Sequence, residues 1–265
     1  MPVVASNGIR INYEEIGSGE PLILIMGLGA DHSKWVDHVQ AYSEHFRCIM
    51  LDNRGAGKSE KPPGPYTTDM MADDIAGVMD SLDIAHARIA GISMGSGIAQ
   101  NLALNHPDKV RSMVLVSSWA RSSPYLDALL ASFRKMRSIA GAGDFTELLQ
   151  LWIFTSTHFN ANYNDMVQGQ RDAVDDEYPM PQHAFAAQCA ACSSHHTLRR
   201  LSDISAPSLI TVGEEDIFTP LNLSLEMHER MASSQLLRFP GWGHCHHWED
   251  LDTFNRRTTE FLLGH

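Results

Sequence analysis

The five residues Gly91-Ile92-Ser93-Met94-Gly95 constrain the fold of this chain more than any other stretch. Residues 85–90 before them suit a β-strand, and residues 96–104 after them suit a helix. A serine between two glycines, where a strand turns sharply into a helix, is the pattern of a nucleophile elbow. Such a turn forces strained backbone angles on the serine and leaves no room for a neighbouring Cβ. The bland alternative is an ordinary Gly- and Ser-rich turn.

Size and charge narrow the class of protein. A chain of 265 residues with 43% hydrophobic content has enough apolar material for one large domain, or for a domain with an insertion. The formal net charge of −12 argues against nucleic acid and anionic membranes as partners, because both would repel it. A small-molecule substrate is the expected partner, and the chain is expected to act as a monomer or homodimer.

The lack of a recognisable targeting signal and the cysteine usage both favour a cytoplasmic protein. The first eight residues lack a basic segment followed by an apolar run, and no stretch approaches the ~20 apolar residues that span a bilayer. Without a signal peptide, the four cysteines are expected to be free thiols rather than a disulfide framework. They are Cys48, Cys189, Cys192 and Cys245.

Alternating strand and helix patterns predict an α/β fold. Apolar runs suited to strands lie at residues 9–15, 22–25, 48–51, 85–90, 110–116, 208–213 and 235–239. Helical patterns lie between them at residues 33–45, 69–82, 96–104 and 222–231, with a last helix at 249–263. This alternation is typical of a parallel sheet covered by helices.

Strand signals disappear between residues 119 and 201. Four helical stretches replace them, at residues 126–139, 145–155, 163–174 and 181–198. An all-helical insert does not fit into the sheet layer, so we expect it to lie over one edge of the sheet as a cap. The predicted division is therefore a core of residues 1–118 and 202–265 and a helical cap of residues 119–201.

The loops after the last two strands carry the other groups that a nucleophilic serine requires. A serine hydroxyl needs a histidine to take its proton and an acid to orient that histidine. Acidic residues follow the strand at 208–213, and histidines follow the strand at 235–239. Because both strands belong to one parallel sheet, both loops are expected at the carboxyl edge, where ligands bind in such sheets.

Four motifs resemble those of the α/β-hydrolase family, and together they span nearly the whole chain. They are Asp52-x-Arg54-Gly55-x-Gly57-x-Ser59, Gly91-x-Ser93-x-Gly95, Gly213-x-x-Asp216-x-x-x-Pro220 and Gly243-His244-x-x-x-x-Glu249. The resemblance implies an α/β-hydrolase fold, with a mostly parallel eight-stranded sheet flanked by helices and a helical cap inserted after the sixth strand. It makes Ser93 the nucleophile, Asp216 the acid and His244 the general base.

Neighbouring residues compete for two of these roles. The spacing to Pro220 favours Asp216 as the acid, and the preceding glycine together with Glu249 favours His244 as the base. The competitors are Glu214, Glu215, His246 and His247.

The same resemblance places an oxyanion hole at the backbone amides of Leu28 and Met94. The segment Met26-Gly27-Leu28 lies where the family usually has His-Gly-x, so this chain departs from the pattern at Met26. The departure costs little in mechanism, because the donors are backbone amides.

A cysteine and histidine cluster at residues 189–196 superficially resembles a zinc site. Cys189, Cys192 and His196 would share one face of a helix, but a tetrahedral site normally takes ligands from a second element. The sequence therefore favours packed cysteines and a polar histidine pair at the helix end, with no metal and no cofactor required by the mechanism.

Three residues of the predicted cap are candidates for substrate binding. Trp119 and Arg121 directly follow a sheet strand, so we expect them near the pocket mouth. Arg121 is hypothesised to pair with a substrate carboxylate, although a surface cation is the simpler interpretation. Trp152 is a candidate wall of an apolar pocket, although most aromatic residues at helical spacing are simply core.

The chain looks most similar to small bacterial members of the family such as the 3-oxoadipate enol-lactonases and the aminoacrylate hydrolases. The resemblance implies hydrolysis of a carboxylic ester or lactone of a small metabolite through an acyl-enzyme on Ser93. The alternatives are hydrolysis of an amide, another C–N bond or a C–C bond. A non-enzymatic alternative is a silent hydrolase fold that acts as a ligand-binding receptor.

Overall fold

The sheet has the predicted composition of eight strands, most of them parallel. A computed structural model describes residues 2–265. The strands are β1 (Val3–Ser6), β2 (Ile9–Ile16), β3 (Glu20–Ile25), β4 (Phe46–Leu51), β5 (Ala87–Ile92), β6 (Val110–Val116), β7 (Ser208–Gly213) and β8 (Ser234–Phe239). They lie in the order β1-β2-β4-β3-β5-β6-β7-β8. The pairs β1/β2 and β2/β4 are antiparallel, and all the other pairs are parallel.

The strand β1 is the one that the periodicity of the sequence did not predict. It forms a hairpin with β2 in which Ser6 pairs with Ile9. The connecting residues Asn7 and Gly8 have φ angles of 47° and 79°, as the tight turn of a two-residue hairpin requires. The Asn-Gly pair was therefore a usable sequence signal for this strand.

Eleven α-helices accompany the sheet in the described part of the chain. They are α1 (Val36–Tyr42), α2 (Thr68–Ser81), α3 (Met94–Asn105), α4 (Pro124–Ile139), α5 (Ala142–Ile153), α6 (Ser156–Ala161), α7 (Tyr163–Val174), α8 (Gln182–Ser194), α9 (Leu221–Arg230), α10 (His246–Glu249) and α11 (Leu251–Gly264). None of these helices is both long and apolar enough to cross a membrane.

Apolar side chains cover both faces of the sheet. In β3, Ile23 and Ile25 belong to the core cluster that includes residues of α2 and α3, whereas Leu22 and Leu24 belong to the cluster on the opposite face, with residues of α1 and α11. This alternation follows from the two-residue period of a strand. Because both faces are buried, the central strands are continuous apolar runs.

The segment between β6 and β7 contains five helices, α4 to α8, which we call the helical insert. The sequence predicted one long helix over residues 145–155, but α5 ends at Ile153 and a new helix begins at Ser156. Thr155 causes the break, because its side chain accepts a hydrogen bond from the N–H of His158 (3.2 Å) and caps α6. The boundary between a core and a cap at residues 118/119 and 201/202 stays a prediction.

Four fully buried histidines make the fold sensitive to acid. Burial lowers the pKa of His38 and of His195 from 6.5 to about 4, and that of His246 to about 3. His247 has its pKa lowered well below 6.5 for the same reason, and both of its ring nitrogens lack a hydrogen-bond partner within residues 2–265. These rings stay neutral in the folded protein at pH values where the unfolded chain protonates them.

We expect the free energy of unfolding to fall by several kcal/mol between pH 7 and pH 5, since each pKa unit is worth about 1.4 kcal/mol. The sign follows from proton binding, because the unfolded chain binds more protons than the folded one below the ordinary pKa of histidine. In His247→Phe this loss should shrink by about 2 kcal/mol. Denaturant titrations at pH 7 and pH 5 measure this loss of unfolding free energy. His86→Gln is the control, because His86 is exposed. If the unfolding free energy of His247→Phe depended on pH as strongly as that of the wild type, buried neutral His247 would not be a cause of the acid sensitivity.

Candidate active site

Ser93 lies at the turn between β5 and α3 in a strained conformation. Its φ of 51° and ψ of −115° fall outside the regions that non-glycine residues favour. Its N–H donates to the carbonyl of Val116 (2.8 Å), which fixes the turn against β6. The two flanking glycines are required, because a Cβ on Gly91 would overlap the Gly95 backbone and a Cβ on Gly95 would overlap the carbonyl of Ile25. The predicted elbow geometry is present.

Asp216 and His244 form a buried pair at the same sheet edge. The Nδ1 of His244 lies 2.9 Å from the Oδ2 of Asp216. The other carboxylate oxygen, Oδ1, accepts hydrogen bonds from the N–H groups of Phe218 and Thr219, both at 2.8 Å. The Thr219 hydroxyl donates to Oδ2 at 2.8 Å. The N–H and hydroxyl donors of Phe218 and Thr219 therefore hold the Asp216 carboxylate, which would orient the histidine.

The environment of Asp216 keeps its carboxyl ionised. Burial alone would raise its pKa, but the His244 ring and the hydrogen bonds from His244 and Thr219 outweigh burial and lower the pKa. Since Asp216 occupies Nδ1, the Nε2 of His244 is the nitrogen left for a serine proton. Within residues 2–265, the side-chain hydrogen bonds of His244 run to Asp216 and Thr219. Of the two contacts that the predicted triad requires, the described residues form the one between Asp216 and His244 and not the one between Ser93 and His244.

The competing acidic and basic residues face elsewhere. Glu215 is exposed and Glu214 pairs with Arg238 at 2.6 Å. His246 is buried with its Nε2 at 2.9 Å from the Thr211 hydroxyl. His247 packs against Trp248 with ring centroids 4.4 Å apart. Of the candidates, Asp216 and His244 are the ones that meet.

The loop that carries His244 is fastened by Glu249. One carboxylate oxygen accepts from the N–H of Gly243 (2.5 Å), and the other accepts from the N–H (2.6 Å) and hydroxyl (2.8 Å) of Thr155. Glu249 thus joins the histidine loop to the break between α5 and α6. A further bond runs from the Ser117 hydroxyl to the carbonyl of His244 (2.6 Å).

Sequence reasoning missed Thr219 and Ser117. Thr219 lies in the Asp216-x-x-Thr219-Pro220 segment, where a hydroxyl three residues after an aspartate is a recognisable turn pattern. Ser117 has a positive φ of 49° just after β6, and nothing in the sequence indicated that it reaches the His244 loop.

The loop after β3 lies against the elbow. A Cβ on Gly27 would lie 3.3 Å from the Ser93 Cβ, which is tighter than an ordinary van der Waals contact, so the loop and the elbow are closely packed. Among residues 2–265, no group accepts a hydrogen bond from the N–H of Leu28. Met94 is the first residue of α3, so its N–H has no acceptor within the helix. Both predicted oxyanion donors are thus unpaired amides on segments that touch Ser93.

The two residues predicted near the pocket mouth, Trp119 and Arg121, differ in their burial and partners. Trp119 is only 1% exposed, and its indole packs edge-on to the ring of His195 with centroids 5.7 Å apart. Arg121 is exposed and holds both carboxylate oxygens of Glu226, at 3.0 and 3.3 Å. A cation already paired at the surface does not face a substrate in the interior. The expectation that both residues lie near the pocket mouth stays a prediction, and the Glu226 pair favours the simpler interpretation of Arg121 as a surface cation.

Trp152, the candidate wall of an apolar pocket, is linked to His244 through two other aromatic rings. It contacts Phe133 edge-on, Phe133 stacks on Phe218, and Phe218 stacks on His244, with centroid distances of 6.1, 5.5 and 4.8 Å. Trp152 and Phe133 also line a cavity of about 390 Å³ between α4 and α5. Aromatic side chains therefore continue from His244 into the insert.

The possible metal ligands do not form a free site. Cys189 and Cys192 are buried as expected, and burial raises the pKa of Cys189 to about 12. In residues 2–265, the one group of three converging ligand side chains is Asp31, His32 and Asp52. His32 already uses both ring nitrogens, at 2.7 Å from Asp52 and 3.1 Å from Glu14, which does not fit a metal ligand.

Comparison with known proteins shows the family. The profile of the α/β-hydrolase fold matches residues 20–251, which is most of the chain. With the sheet order and the elbow, this match shows that the chain belongs to the α/β-hydrolase family. The predicted family and fold are confirmed.

Three relatives that match nearly the full length carry the names of hydrolases of different kinds. The enol-lactonase of Burkholderia xenovorans LB400 superposes with a TM-score of 0.90 at 26% identity, covering 99% of this chain and 100% of that one. The 2-hydroxymuconate semialdehyde hydrolase of Pseudomonas sp. is 30% identical, covering 94% and 88%. RutD of Caulobacter segnis, which carries the name of a carbamate hydrolase, is 26% identical, covering 94% and 93%. The chain is therefore a hydrolase by family.

Proposed function

We propose that this protein hydrolyses a carboxylic ester or lactone of a small molecule through an acyl-enzyme on Ser93. The observation that carries the proposal is the buried Asp216 to His244 pair at the sheet edge where Ser93 sits with a positive φ. The likeness to an enol-lactonase supports ester chemistry over the alternatives. The names of other relatives keep C–N and C–C bond hydrolysis as competing outcomes.

In the first half of the reaction, Ser93 Oγ attacks the substrate carbonyl while His244 Nε2 takes the hydroxyl proton. Asp216 holds His244 in the tautomer that leaves Nε2 free, and its negative charge stabilises the imidazolium that forms. The oxyanion of the tetrahedral intermediate accepts hydrogen bonds from the Leu28 and Met94 amides. Collapse breaks the carbonyl carbon to oxygen bond, and His244 gives its proton to the leaving alcohol.

In the second half, water replaces the alcohol. His244 takes a proton from water as it attacks the acyl carbon, and the same amides hold the second oxyanion. Breaking the bond to Ser93 releases the acid and returns the proton to the serine. In a lactone the alcohol stays tethered, so the product is a hydroxy acid.

The charges around the site favour an uncharged acyl group. Phe218 covers His244 and Phe185 packs beside Gly29, so the residues close to the catalytic loops are apolar. Two arginines of the surrounding elements are already neutralised by carboxylates, Arg54 by Asp74 and Arg121 by Glu226. Neither of these two cations is left to neutralise a substrate carboxylate.

We expect p-nitrophenyl butyrate to be hydrolysed with a kcat/KM at least about tenfold above that of mono-p-nitrophenyl succinate, because an unpaired buried carboxylate is costly. Steady-state assays of both esters measure this ratio. The p-nitroanilide of butyrate and γ-butyrolactone complete the set, with the lactone cleaved and the anilide about 100-fold slower than the ester. Faster turnover of the anilide would favour a C–N hydrolase, and no turnover of any of the four would favour a silent fold.

A further inference from the structure

A hydrogen bond joins the helical insert to the loop that carries the Leu28 amide. Gln188 lies on α8 and is fully buried. Its Oε1 accepts a hydrogen bond from the N–H of Gly29 at 2.9 Å, and its Nε2 donates to the carbonyl of Arg54 at 2.9 Å. Both ends of this buried amide are therefore bound to backbone groups of two different loops.

The bond to Gly29 bears directly on the neighbouring residue. The Gly29 N–H belongs to the peptide plane that joins Leu28 to Gly29, so fixing its direction restricts the ψ angle of Leu28. Gly29 itself has a φ of +79°, a conformation that reverses the chain just after Leu28. The N–H of Leu28 lies in the preceding peptide plane, so the hydrogen bond at Gly29 acts on it one residue away, by fixing the chain on the C-terminal side of Leu28.

The other anchors of this loop come from the core. The side chain of Asn53 donates to the carbonyl of Met26 at 2.8 Å, upstream of Leu28. Downstream, the N–H of His32 donates to the carboxylate of Asp52 at 2.9 Å. Gln188 holds the middle of the loop and comes from a residue 159 positions away in the sequence.

The surroundings of Gln188 favour a strong, persistent contact. A Cβ on Gly29 would lie 3.3 Å from the ring of Phe185, and one on Gly55 would lie 3.0 Å from Ala184, so α8 sits directly on both loops. Apolar neighbours exclude water, and a hydrogen bond in such an environment is stronger than in solvent.

We propose that Gln188 is a positioning residue for the hydrolysis, which orients the Leu28 amide toward the developing oxyanion. It touches neither substrate nor reacting atoms and acts through Gly29. The docking of α8 is thereby coupled to the rate of the chemical step. This inference rests on the proposed function, because it requires an oxyanion to be stabilised at Leu28.

The test compares two isosteric substitutions and one matched control. Gln188→Met keeps the volume and removes both hydrogen bonds, whereas Gln188→Glu keeps the acceptor for Gly29 and loses the donor to Arg54. Gln150→Met is the control, because Gln150 is also buried in the insert and also satisfied, by Met166 and Gln170 at 3.0 and 2.9 Å. For each variant, kcat and KM on p-nitrophenyl butyrate and the Ki of a trifluoromethyl ketone analogue are measured.

We expect Gln188→Met to lower kcat by about 10- to 100-fold with KM within about threefold, since loss of an oxyanion donor costs about 100- to 1000-fold and a misdirected donor costs less. The Ki of the ketone, whose adduct carries the oxyanion, should rise by the same factor. Gln188→Glu should recover part of kcat, and Gln150→Met should stay within about twofold of wild type.

The inference is overturned if Gln188→Met keeps wild-type kcat, or if Gln150→Met loses as much, because either result reduces Gln188 to a packing contact. If Gln188→Met does not fold, Gln188→Leu decides, because it also removes both hydrogen bonds, and an unchanged kcat and Ki in that variant would count against the proposal. Failure of the proposed function would give a different result from failure of this inference, because Ser93→Ala would then hydrolyse the ester as fast as the wild type.

Discussion

Asp216→Asn is expected to lower kcat on p-nitrophenyl butyrate by about 1000- to 10,000-fold while leaving the fold intact, by analogy with the effect of an amide in place of the acid of a serine protease triad. An amide can present an N–H to His244 Nδ1, which favours the tautomer whose Nε2 carries the proton and so cannot accept one from Ser93. It also removes the charge that stabilises the imidazolium. Steady-state kinetics and circular dichroism measure rate and fold.

Glu215→Gln is the matched control for this change, because it removes the same charge one residue earlier from an exposed position. We expect its kcat to stay within about twofold of wild type, as surface substitutions rarely act on the chemical step. Comparable losses in both variants would mean that net charge, not the position of Asp216, matters. A fully active Asp216→Asn would remove the acid from the mechanism.

Asp74→Ala is expected to be the most destabilising single change outside the apolar core. Asp74 receives two hydrogen bonds from the Arg54 guanidinium, at 2.6 and 2.5 Å, and both side chains are more than nine-tenths buried. Removing the carboxylate leaves a buried, unpaired cation, which costs about 3–5 kcal/mol. For a chain of this size that is about 10 °C in Tm, measured by thermal unfolding.

Asp73→Ala provides the control for Asp74→Ala. Asp73 is the preceding residue and pairs with His106, but 49% of its side chain is exposed, so its loss should cost less than about 1 kcal/mol. The double variant Arg54→Met with Asp74→Leu should recover more than half of the loss, because no unpaired charge remains. Equal Tm values for Asp73→Ala and Asp74→Ala would contradict this account of the pair.

The sequence predicted the buried strands and the elbow because both depend on short-range patterns, whereas the choice of Asp216 and His244 came from the resemblance of their motifs to those of the α/β-hydrolase family. Apolar runs identify buried strands, and in a parallel sheet the loops after those strands must gather at one edge. The spacing within Gly91 to Gly95 predicted the elbow because the two glycine backbones meet at the turn, although a Cβ on Gly95 would overlap Ile25 of the distant strand β3. Local rules of this kind need no knowledge of the tertiary contacts.

The contacts that the sequence did not predict join distant segments. Arg121 was hypothesised to pair with a substrate carboxylate, and its partner in the structure is Glu226, 105 residues away. The helix break at Thr155 involves Glu249, 94 residues away, and the contact of Gln188 with Gly29 spans 159 residues. The pairing of polar groups between distant segments depends on how the helices dock in the folded chain. Helical periodicity in the sequence does not predict that docking.

Labelling with a fluorophosphonate, followed by mass spectrometry of the digested protein, tests the central claim that Ser93 is the nucleophile. The account predicts one phosphonyl group per chain on the peptide that contains Ser93, much slower labelling of Asp216→Asn, and none of Ser93→Ala. An adduct on another residue, or an unlabelled Ser93 in protein that hydrolyses the ester, would contradict it.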